Sequence, residues 1–423
     1  MKKNGFSKTV LKNGLRVISE RIPSVRSISI GIWMHVGSRD EDQPINGISH
    51  FIEHMHFKGT KKRNALQIAR DLESRGGAIN AFTSREHTCY YARILNNHLP
   101  LAMDILGDIL NHSTFTPGNI KKEKSVILEE IKDIADSPGE YIHDLFATEV
   151  WPSHSLGRPI MGSAANITNL SRSSVMNYIS QHYHSGNIVI AAAGDVSHAK
   201  LVELVKKYFK WPKNSQVTKS TIPLNKGVKL KAFKSDTQQS HVCIGFPSIS
   251  FEEEGRYGIL AANNILSGGM SSRLFQNVRE KNGFCYTIYS YQEFFRDIGL
   301  FGVYFGADKK YVGKASELVL KELKRLKEKT LTPTEVRQIK DQLKGNLMLS
   351  LESTTNRMNR IARQEVMLGE YIDLDETCRN IEKITAKQIR DVVNKIFNAD
   401  RLTCVTLGPT KQKELEAINW SKL

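Results

Sequence analysis

The residues of this chain best suited to chemistry lie in the segment HFIEHMHFKGT, residues 50–60, which holds three histidines and a glutamate within seven positions. His50, Glu53 and His54 form the order H-x-x-E-H. On a helix, histidines at i and i+4 can direct their ring nitrogens at one zinc ion, and a glutamate one residue before the second histidine can handle a water on that metal. The spacing predicts a metal site with its own base. His56 is expected to be non-ligating and to line a cleft.

A third ligand must come from elsewhere, because a zinc ion that catalyses hydrolysis needs three protein ligands and one open position. The segment NIKKEKSVILEEIKDIAD, residues 119–136, has a helical pattern with carboxylates on an otherwise apolar face. Burying them is costly unless a positive group pairs with them, so Glu130 is the predicted ligand and Glu123 its supporting carboxylate, while Glu129 faces solvent. The predicted inner face consists of Ile120, Glu123, Ile127, Glu130, Ile131 and Ile134.

An alternative interpretation of the histidines needs no metal. Histidines on a helix are more often surface or hydrogen-bonded residues than ligands, and this alternative stays open for each histidine taken alone. The H-x-x-E-H order and the inward glutamate pair are two independent features, and their coincidence favours the metal site.

The elements that position these residues have simple signatures. A helix over residues 47–57 would turn an apolar stripe of Ile48, Phe51, Ile52 and Met55 towards the core, and would place His50, Glu53, His54 and Phe57 on a neighbouring stripe. Gly59 supplies a helix stop. Upstream, Asn13-Gly14 predicts a hairpin turn, and the segment SISIGIWMHVG, residues 27–37, predicts a strand.

Composition limits the class of protein. The 423 residues are 40% hydrophobic and 25% charged, as in a soluble globular protein. No run of eighteen apolar residues predicts a membrane span, and the N-terminal segment has no apolar signal region, so we expect an intracellular protein. The five cysteines are scattered and form no CxxC pair, which fits reduced thiols.

The formal charge of +16 raises nucleic acid or an anionic membrane as partners. Much of this charge lies in residues 309–346, where Lys and Arg alternate with Glu and apolar residues at helical spacing. That pattern is typical of solvated helix faces, and no nucleic-acid-binding motif accompanies it. We therefore expect neither nucleic acid nor membrane as a partner.

The chain divides into two related halves. A polar stretch with two prolines near residues 212–227 predicts a linker, which gives domains 1–215 and 229–423 joined by residues 216–228. QHYHSGNIVIAAAGD, residues 181–195, matches KIFNADRLTCVTLGP, residues 395–409, without a gap. We predict a duplicated α+β domain in which only the first copy carries the metal motif; chance likeness of two short segments is the alternative.

Five segments together resemble the pitrilysin, insulin-degrading enzyme and mitochondrial processing peptidase family of inverzincins, in particular its short two-domain bacterial-type members. They are NGISHFIEHMHFKGT, RGGAINAFTSREHTCYY, EKSVILEEIKD, AAAGD and RLFQNVREKNGFCY. The resemblance implies zinc on His50, His54 and Glu130, with Glu53 as general base and Glu123 as supporting glutamate. It also implies two homologous α+β halves, each an antiparallel-rich sheet packed with helices, forming a clamshell around a central cleft.

The resemblance implies four further substrate-contacting positions in two places. In GGAINAFTS, Asn80 and Ala81 match an edge strand that pairs with extended substrate, although an ordinary turn is the alternative. From the second half, Arg279 and Tyr286 match an arginine and a tyrosine that reach substrate and stabilise the carbonyl oxyanion. Without the resemblance, Arg279 would be a surface charge.

An acidic pair completes the implied set. Glu140 and Asp144, four apart on a predicted helix, match the pair with which processing peptidases hold an arginine near the cleavage site. Solvated surface acids are the alternative.

The predicted function is that of a zinc-dependent endopeptidase, with one zinc ion per chain, that cleaves unfolded or extended peptides with a preference for basic residues near the cleavage site. A non-catalytic scaffold or regulatory subunit of the same fold is the alternative. Small relatives predict a homodimer or a heterodimer with an inactive homologous subunit. We expect a bacterial cytoplasm, or the mitochondrial matrix for a processed organellar form.

Overall fold

The computed structural model describes residues 5–213 and 227–423, which form strands and helices in alternation. The strands are β1 Phe6–Val10, β2 Arg16–Arg21, β3 Ser27–Met34, β4 Ala78–Thr83, β5 Thr88–Leu95, β6 Ile188–Gly194, β7 Lys229–Lys234, β8 Ser240–Ser248, β9 Thr287–Phe294, β10 Gly299–Ala307 and β11 Thr403–Gly408. The predicted hairpin is confirmed, since β1 and β2 pair antiparallel around Asn13-Gly14 and Val10 faces Arg16 in the register.

Helices occupy most of the remaining chain. They are α1 Ile48–His56, α2 Ala65–Glu73, α3 Leu99–His112, α4 Pro117–Ala135, α5 Pro138–Val150, α6 Ala164–Asn169, α7 Arg172–His182, α8 His198–Tyr208, α9 Arg256–Ser267, α10 Val312–Glu328, α11 Pro333–Ser350, α12 Thr354–Leu368, α13 Leu374–Glu382, α14 Ala386–Ile396 and α15 Gln412–Glu416. Within the two described ranges, none of these helices is long and apolar enough to cross a membrane.

The first compact unit contains a six-stranded sheet in the order β1-β2-β6-β3-β5-β4. β2 and β6 are parallel and the other neighbours are antiparallel. Side chains of a strand alternate between the two faces of its sheet. Ile28, Ile30 and Ile32 of β3 therefore pack on one face, in a core shared with α1, α3, α7 and α8.

The other face of this sheet is covered by α12, a helix from late in the sequence. Met358 and Ile361 of α12 share a core with Trp33 of β3. Gly31 leaves space for this helix, because a Cβ on Gly31 would lie 3.0 Å from the sulfur of Met358.

The second unit repeats the arrangement with a five-stranded sheet in the order β7-β11-β8-β10-β9. Val242, Ile244 and Phe246 of β8 face a core built with α9, α10 and α14. The opposite face is covered by α5, which comes from early in the sequence. Gly245 leaves space for α5, since a Cβ there would lie 3.0 Å from the ring of Phe146.

The two sheets confirm the predicted repeat. Apart from β1, the strand orders correspond one to one, with β2, β6, β3, β5 and β4 matching β7, β11, β8, β10 and β9, and the first pair is parallel in both. The matched strands β6 and β11 end at Gly194 and Gly408, whose φ angles are 129° and 139°. Such positive φ favours glycine, so the same turn closes both strands.

The two compact units do not coincide with the two halves of the sequence, because each unit contains segments from both halves. The described residues of the first unit are 5–132, 158–213 and 349–373, and those of the second are 133–157, 227–348 and 374–423. Each half of the sequence thus gives one helical segment to the other half's sheet. The predicted domains, 1–215 and 229–423, stay a prediction about the repeat, and the predicted linker 216–228 lies outside the described residues except for 227–228.

Candidate metal centre

Helix α1 is fixed at its start by the buried carboxylate of Glu41. This carboxylate accepts hydrogen bonds from the backbone N–H groups of Gly47 (2.7 Å) and Ser49 (2.8 Å) and from Nδ2 of Asn46 (2.8 Å). The first N–H groups of a helix lack intrahelical acceptors, so a carboxylate there stabilises the helix. Ile48, Phe51, Ile52 and Met55 then bury the predicted stripe in the core of the first unit, which confirms that prediction.

The polar stripe of α1 brings the predicted ligand atoms together. One ligand atom from each of His50, His54 and Glu130 lies within 4.8 Å of the other two. Nε2 of His54 is 3.6 Å from Oε2 of Glu130, and the two imidazole rings have centroids 4.5 Å apart. Within the described residues, this is the single His, Cys, Asp or Glu group with metal-ligand spacing.

Glu123 orients one of these histidines. Nδ1 of His54 lies 2.9 Å from Oε1 of Glu123, so a proton on Nδ1 donates to the carboxylate and leaves Nε2 with its lone pair towards Glu130. Nζ of Lys58 also lies 2.9 Å from Oε1 of Glu123. Burial alone would raise the pKa of Glu123, but the hydrogen bonds from His54 and Lys58 lower it below its ordinary value. A carboxylate on the distal nitrogen of a ligating histidine is a common orienting arrangement.

Glu53 lies beside the cluster and is held from another element. Oγ1 of Thr83, at the end of β4, donates a hydrogen bond to Oε2 of Glu53 (2.5 Å). Burial raises the pKa of Glu53; the Thr83 hydrogen bond and the charge of His54 lower it, yet the net shift is upward. A carboxylate with a raised pKa is a better proton acceptor and donor near neutral pH.

The two histidines differ in charge preference. Burial, followed by the charge of His54, lowers the pKa of His50 to about 4, so its imidazole is neutral at pH 7. Burial also lowers the pKa of His54, but the hydrogen bond to Glu123 and the charges of the nearby carboxylates outweigh burial and raise it. His54 therefore holds a proton more readily than His50 does, and a metal ion would compete with that proton.

The donor set fits a zinc ion. Two imidazoles and one carboxylate are the ligand types of hydrolytic zinc sites, which keep a fourth position open. Nδ1 of His50 is buried and has no hydrogen-bonding partner among the described residues. This ring nitrogen is therefore not satisfied by a protein group. One carboxylate lies on each side of His54, that of Glu123 near Nδ1 and that of Glu130 near Nε2, and this negative charge likewise suits a cation.

His56 lies in the core of the first unit, so the expectation that it lines a cleft is wrong. Its side chain is 1% exposed, and its Nδ1 lies 2.7 Å from the carbonyl oxygen of Ile109. Burial lowers its pKa to about 4. This hydrogen bond and the surrounding rings of Tyr90, Phe115 and Tyr183 make His56 a neutral core residue outside the metal cluster.

Helix α4 presents the faces that its sequence predicts. Ile120, Glu123 and Ile127 are buried and Glu130 is partly buried, whereas Glu129 is exposed and pairs with Lys132 at 2.7 Å. The 3.6-residue period therefore distinguished the adjacent glutamates correctly.

The segment with Asn80 and Ala81 forms β4, which is the last strand of the first sheet. β4 pairs with β5 on one side and has no strand on its other side among the described residues. Asn80 is exposed, and the N–H of Ala81 donates to Oδ1 of Asn80 (2.8 Å). Strand β4 is therefore an edge strand. One of its backbone donors, the N–H of Ala81, is hydrogen-bonded to the side chain of the preceding residue.

Arg279 and Tyr286 contact each other in the second unit. Arg279 lies in the last part of a π-helical turn, Phe275–Glu280, and its guanidinium carbon lies 4.5 Å from the ring centroids of both Phe275 and Tyr286. Tyr286 is 75% exposed. A cation over an aromatic face is attracted to it, so these rings hold Arg279 beside an exposed phenol.

Glu140 and Asp144 lie on successive turns of α5 in the second unit. Glu140 is exposed and Asp144 is partly buried. Their helical spacing is as predicted, and their role in substrate binding stays a prediction.

Two family models match the chain. The model of the insulinase family, peptidase family M16, matches residues 16–164, and that of the peptidase M16 inactive domain matches residues 169–343. The chain belongs to the M16 family. The first match contains His50, Glu53, His54 and Glu130.

Relatives of this M16 chain cover nearly its whole length. It is 39% identical to YmxG of Bacillus subtilis, named an uncharacterized zinc protease, over 92% of this chain and 95% of the relative. It is also 39% identical to an uncharacterized zinc protease of Streptomyces coelicolor, over 97% of this chain and 91% of the relative.

Solved structures share the fold. A protease from Helicobacter pylori superposes with a TM-score of 0.89 at 23% identity and covers 96% of this chain and 99% of its own. A chain of complex III2 from Candida albicans, with Inz-5 bound, superposes with a TM-score of 0.83 at 20% identity and 95% coverage of each chain. Together these likenesses confirm the predicted two-domain α+β fold of M16 proteins.

Three residues of the M16 site were missed by sequence reasoning. Lys58 carried a weak signal, since it follows His54 by four residues, but α1 ends at His56 and helical spacing does not apply beyond that end. Glu41 and Thr83 carried none, because their contacts with α1 depend on how the preceding loop and β4 pack against that helix.

Proposed function

We propose that the chain is a zinc-dependent endopeptidase whose metal ligands are His50, His54 and Glu130, with Glu53 as the general base. The observation that carries the proposal is the ligand cluster itself, three donor atoms within 4.8 Å, with an independently held carboxylate beside it. The zinc protease names of the relatives support the metal and the reaction class.

A zinc ion in this cluster would acidify a water molecule and polarise the scissile carbonyl. The chain's own groups do the proton transfer. The carboxylate of Glu53 accepts a proton from the attacking water and then donates it to the leaving amine. The hydrogen bond from Thr83 fixes the rotamer of Glu53, so the oxygen that does not bind Thr83 is free to take the proton. Glu123 keeps His54 in the tautomer that presents Nε2.

Substrate binding is proposed to use the free edge of β4. An extended peptide that adds to this edge would form backbone hydrogen bonds near Asn80 and Ala81. A substrate carbonyl would replace Oδ1 of Asn80 as acceptor for the N–H of Ala81, which keeps that donor satisfied in both states. Because only an extended chain can pair in this way, unfolded peptides and flexible termini are the proposed substrates.

The remaining predicted positions are kept as proposals with separate tests. Arg279 and Tyr286 are proposed to stabilise the carbonyl oxyanion; Tyr286→Phe should lower kcat more than it raises KM. Glu140 and Asp144 are proposed to favour a basic substrate residue; Glu140→Gln should raise KM for an arginine peptide but not for its alanine counterpart. The homodimer or heterodimer and the cytoplasmic location stay predictions; the bacterial origin of the relatives bears on the location alone.

The test is cleavage of an internally quenched, arginine-containing peptide by the zinc-loaded chain. We expect Glu53→Gln to lower kcat by about 10²- to 10⁴-fold, the usual contribution of a general base. Chelation should abolish cleavage and added zinc should restore it. Glu252→Gln, which neutralises an exposed glutamate of the second half, is the matched control and should cleave at the wild-type rate.

Two outcomes would contradict this proposal, and the first of them would favour the non-catalytic alternative. A scaffold or regulatory subunit would bind zinc yet cleave neither the arginine peptide nor unfolded protein. Cleavage by Glu53→Gln at the wild-type rate would show that the activity has another source.

A further inference from the structure

A basic pocket of about 480 Å³ lies in the second unit, and its lining includes none of the proposed metal ligands. Asn282 and Phe284 of the lining belong to the turn between Arg279 and Tyr286. One wall is helix α10, from which Lys314, Lys321 and Lys324 line the pocket, and Lys422 near the chain's last residue adds a fourth ammonium group. The sequence predicts Lys314, Lys321 and Lys324 as part of a solvated helix face, whereas the structure gathers them with Lys422 around one concavity.

The positive charge of this pocket is only partly neutralised. Lys422 pairs with Glu317 at 3.2 Å, and Glu317 is the one acidic residue in the lining. Lys324 lies 3.7 Å from Glu328. Lys314 and Lys321 are exposed, and neither has an acidic partner among the described residues. Two ammonium groups of the lining therefore form no ion pair within the described part of the chain.

The spacing of the lysines suits an extended anion. Lys314 and Lys321 are seven residues apart on a regular helix, which separates their Cα atoms by about 10 Å along the axis at 1.5 Å per residue. A single carboxylate could reach one of them, whereas a chain of two or three phosphate groups could contact both. Lysine is a common phosphate ligand because its ammonium is a compact point charge with three donors.

The pocket also has an apolar wall. Leu318, which lies on α10 between the two unpaired lysines, and Phe284 both line the pocket. The ring of Phe284 stacks on Tyr311 with centroids 5.1 Å apart, so its position is fixed. Apolar surface beside cationic groups is the usual composition of a small-ligand site.

We propose that this pocket binds the polyphosphate group of a small molecule. The concave shape favours a small ligand over a nucleic acid strand, because even a single DNA-binding module buries about 600–1,000 Å² of protein surface. The polyphosphate could belong to a nucleoside triphosphate, whose base would meet Phe284, or to inorganic tripolyphosphate. The proposal does not depend on peptidase activity.

Calorimetric titration of the full chain with sodium tripolyphosphate, and separately with adenosine triphosphate, tests this site. We expect saturable binding that weakens as NaCl is raised. Lys314→Gln/Lys321→Gln removes the two unpaired charges without breaking an ion pair and should weaken binding at least tenfold, since hydrogen bonds to charged groups contribute strongly. Its Tm should stay at the wild-type value.

The matched control is Lys12→Gln/Lys206→Gln, which removes two exposed lysines of the first unit. Binding should be unchanged in this variant. It should also be unchanged in Glu130→Gln, which separates the pocket from phosphate binding at a metal ion. Tighter binding of adenosine triphosphate than of tripolyphosphate, with the difference lost in Phe284→Leu, would assign the nucleotide; equal binding would assign the inorganic anion.

Three results would overturn the proposal. They are no binding to the wild type at millimolar tripolyphosphate, equal weakening in the pocket and control variants, and binding that disappears in Glu130→Gln. A single-stranded oligonucleotide that binds the wild type and both lysine variants alike, with tripolyphosphate failing to compete, would also overturn it in favour of general charge attraction.

Discussion

The corresponding helices α1 and α9 occupy the same place in two related units but differ in chemistry. α1 carries His50, Glu53 and His54, whereas the sequence of α9, RYGILAANNILS, contains no histidine and no carboxylate. Both helices receive a hydrogen bond from a hydroxyl on the edge strand of their sheet. Thr83 of β4 donates to the carboxylate of Glu53, and Ser290 of β9 donates to the amide oxygen of Asn263 (2.7 Å).

This difference shows that the fold provides positions and not chemistry. An amide can accept the same hydrogen bond as a carboxylate, but it cannot take up a proton near neutral pH. The second unit therefore retains the helix-to-edge-strand contact, and α9 lacks counterparts of both the proposed base and the proposed histidine ligands. Function lies in a few side chains placed on a repeated scaffold.

The comparison between the two units predicts its largest effect for the proposed zinc site of the first unit. Glu130→Gln should reduce bound zinc from about one ion per chain to nearly none, because it removes one of three protein ligands. Glu129→Gln is the matched control on the exposed face of α4 and should keep the zinc. Metal content after dialysis measures both, and zinc retained by Glu130→Gln would refute the ligand assignment.

A smaller effect should come from the orienting carboxylate. Glu123→Gln should weaken zinc affinity by about 10- to 100-fold, since partners of ligating histidines typically contribute that much. Competition with a zinc-binding dye measures the change. If the affinity were unchanged, the hydrogen bond between Glu123 and His54 would have no role in metal binding.

The repeat itself can be tested by stability. Gly194→Ala and Gly408→Ala each force a side chain into positive φ, and should lower the free energy of unfolding by about 1–3 kcal/mol. Gly194→Ala should cost more, because its Cβ would lie 2.1 Å from the carbonyl oxygen of Ser27, against 2.7 Å from that of Gln239 for Gly408→Ala. Urea denaturation measures both, and a neutral effect at either position would argue against equivalent turns.

The smallest expected effect is that of giving the second unit a carboxylate. Asn263→Asp keeps an acceptor for Ser290 but supplies only one possible metal donor where a zinc site needs at least three, so it should add neither a second zinc ion nor any cleavage activity to Glu53→Gln. The double variant is assayed with the same quenched peptide. Restored cleavage would mean that the base can act from the second unit.

The sequence was sufficient for the parts of the site that follow from helical periodicity. The apolar stripe of α1 and the inward positions Glu123 and Glu130 of α4 repeat every 3.6 residues, so their directions could be predicted without the fold. The repeat was visible because β6 and β11 end at matching glycines in the same turn.

Other features depend on contacts that no local pattern specifies. The pattern of α5 and of α12 shows an apolar face but not which sheet it covers, so the exchange of these helices between halves could not be predicted. His56 was misplaced for a related reason. A polar residue between two stripes suggests exposure, whereas the hydrogen bond with the carbonyl of Ile109 offsets much of its burial cost.

Anomalous X-ray scattering at the zinc absorption edge, from crystals of the zinc-loaded chain, tests the central claim most directly. We expect one anomalous peak per chain, lying between the side chains of His50, His54 and Glu130, and none beside α9. A peak that avoids these three side chains, or no peak from a chain that cleaves peptide, would contradict the assignment of the chemistry to the first unit.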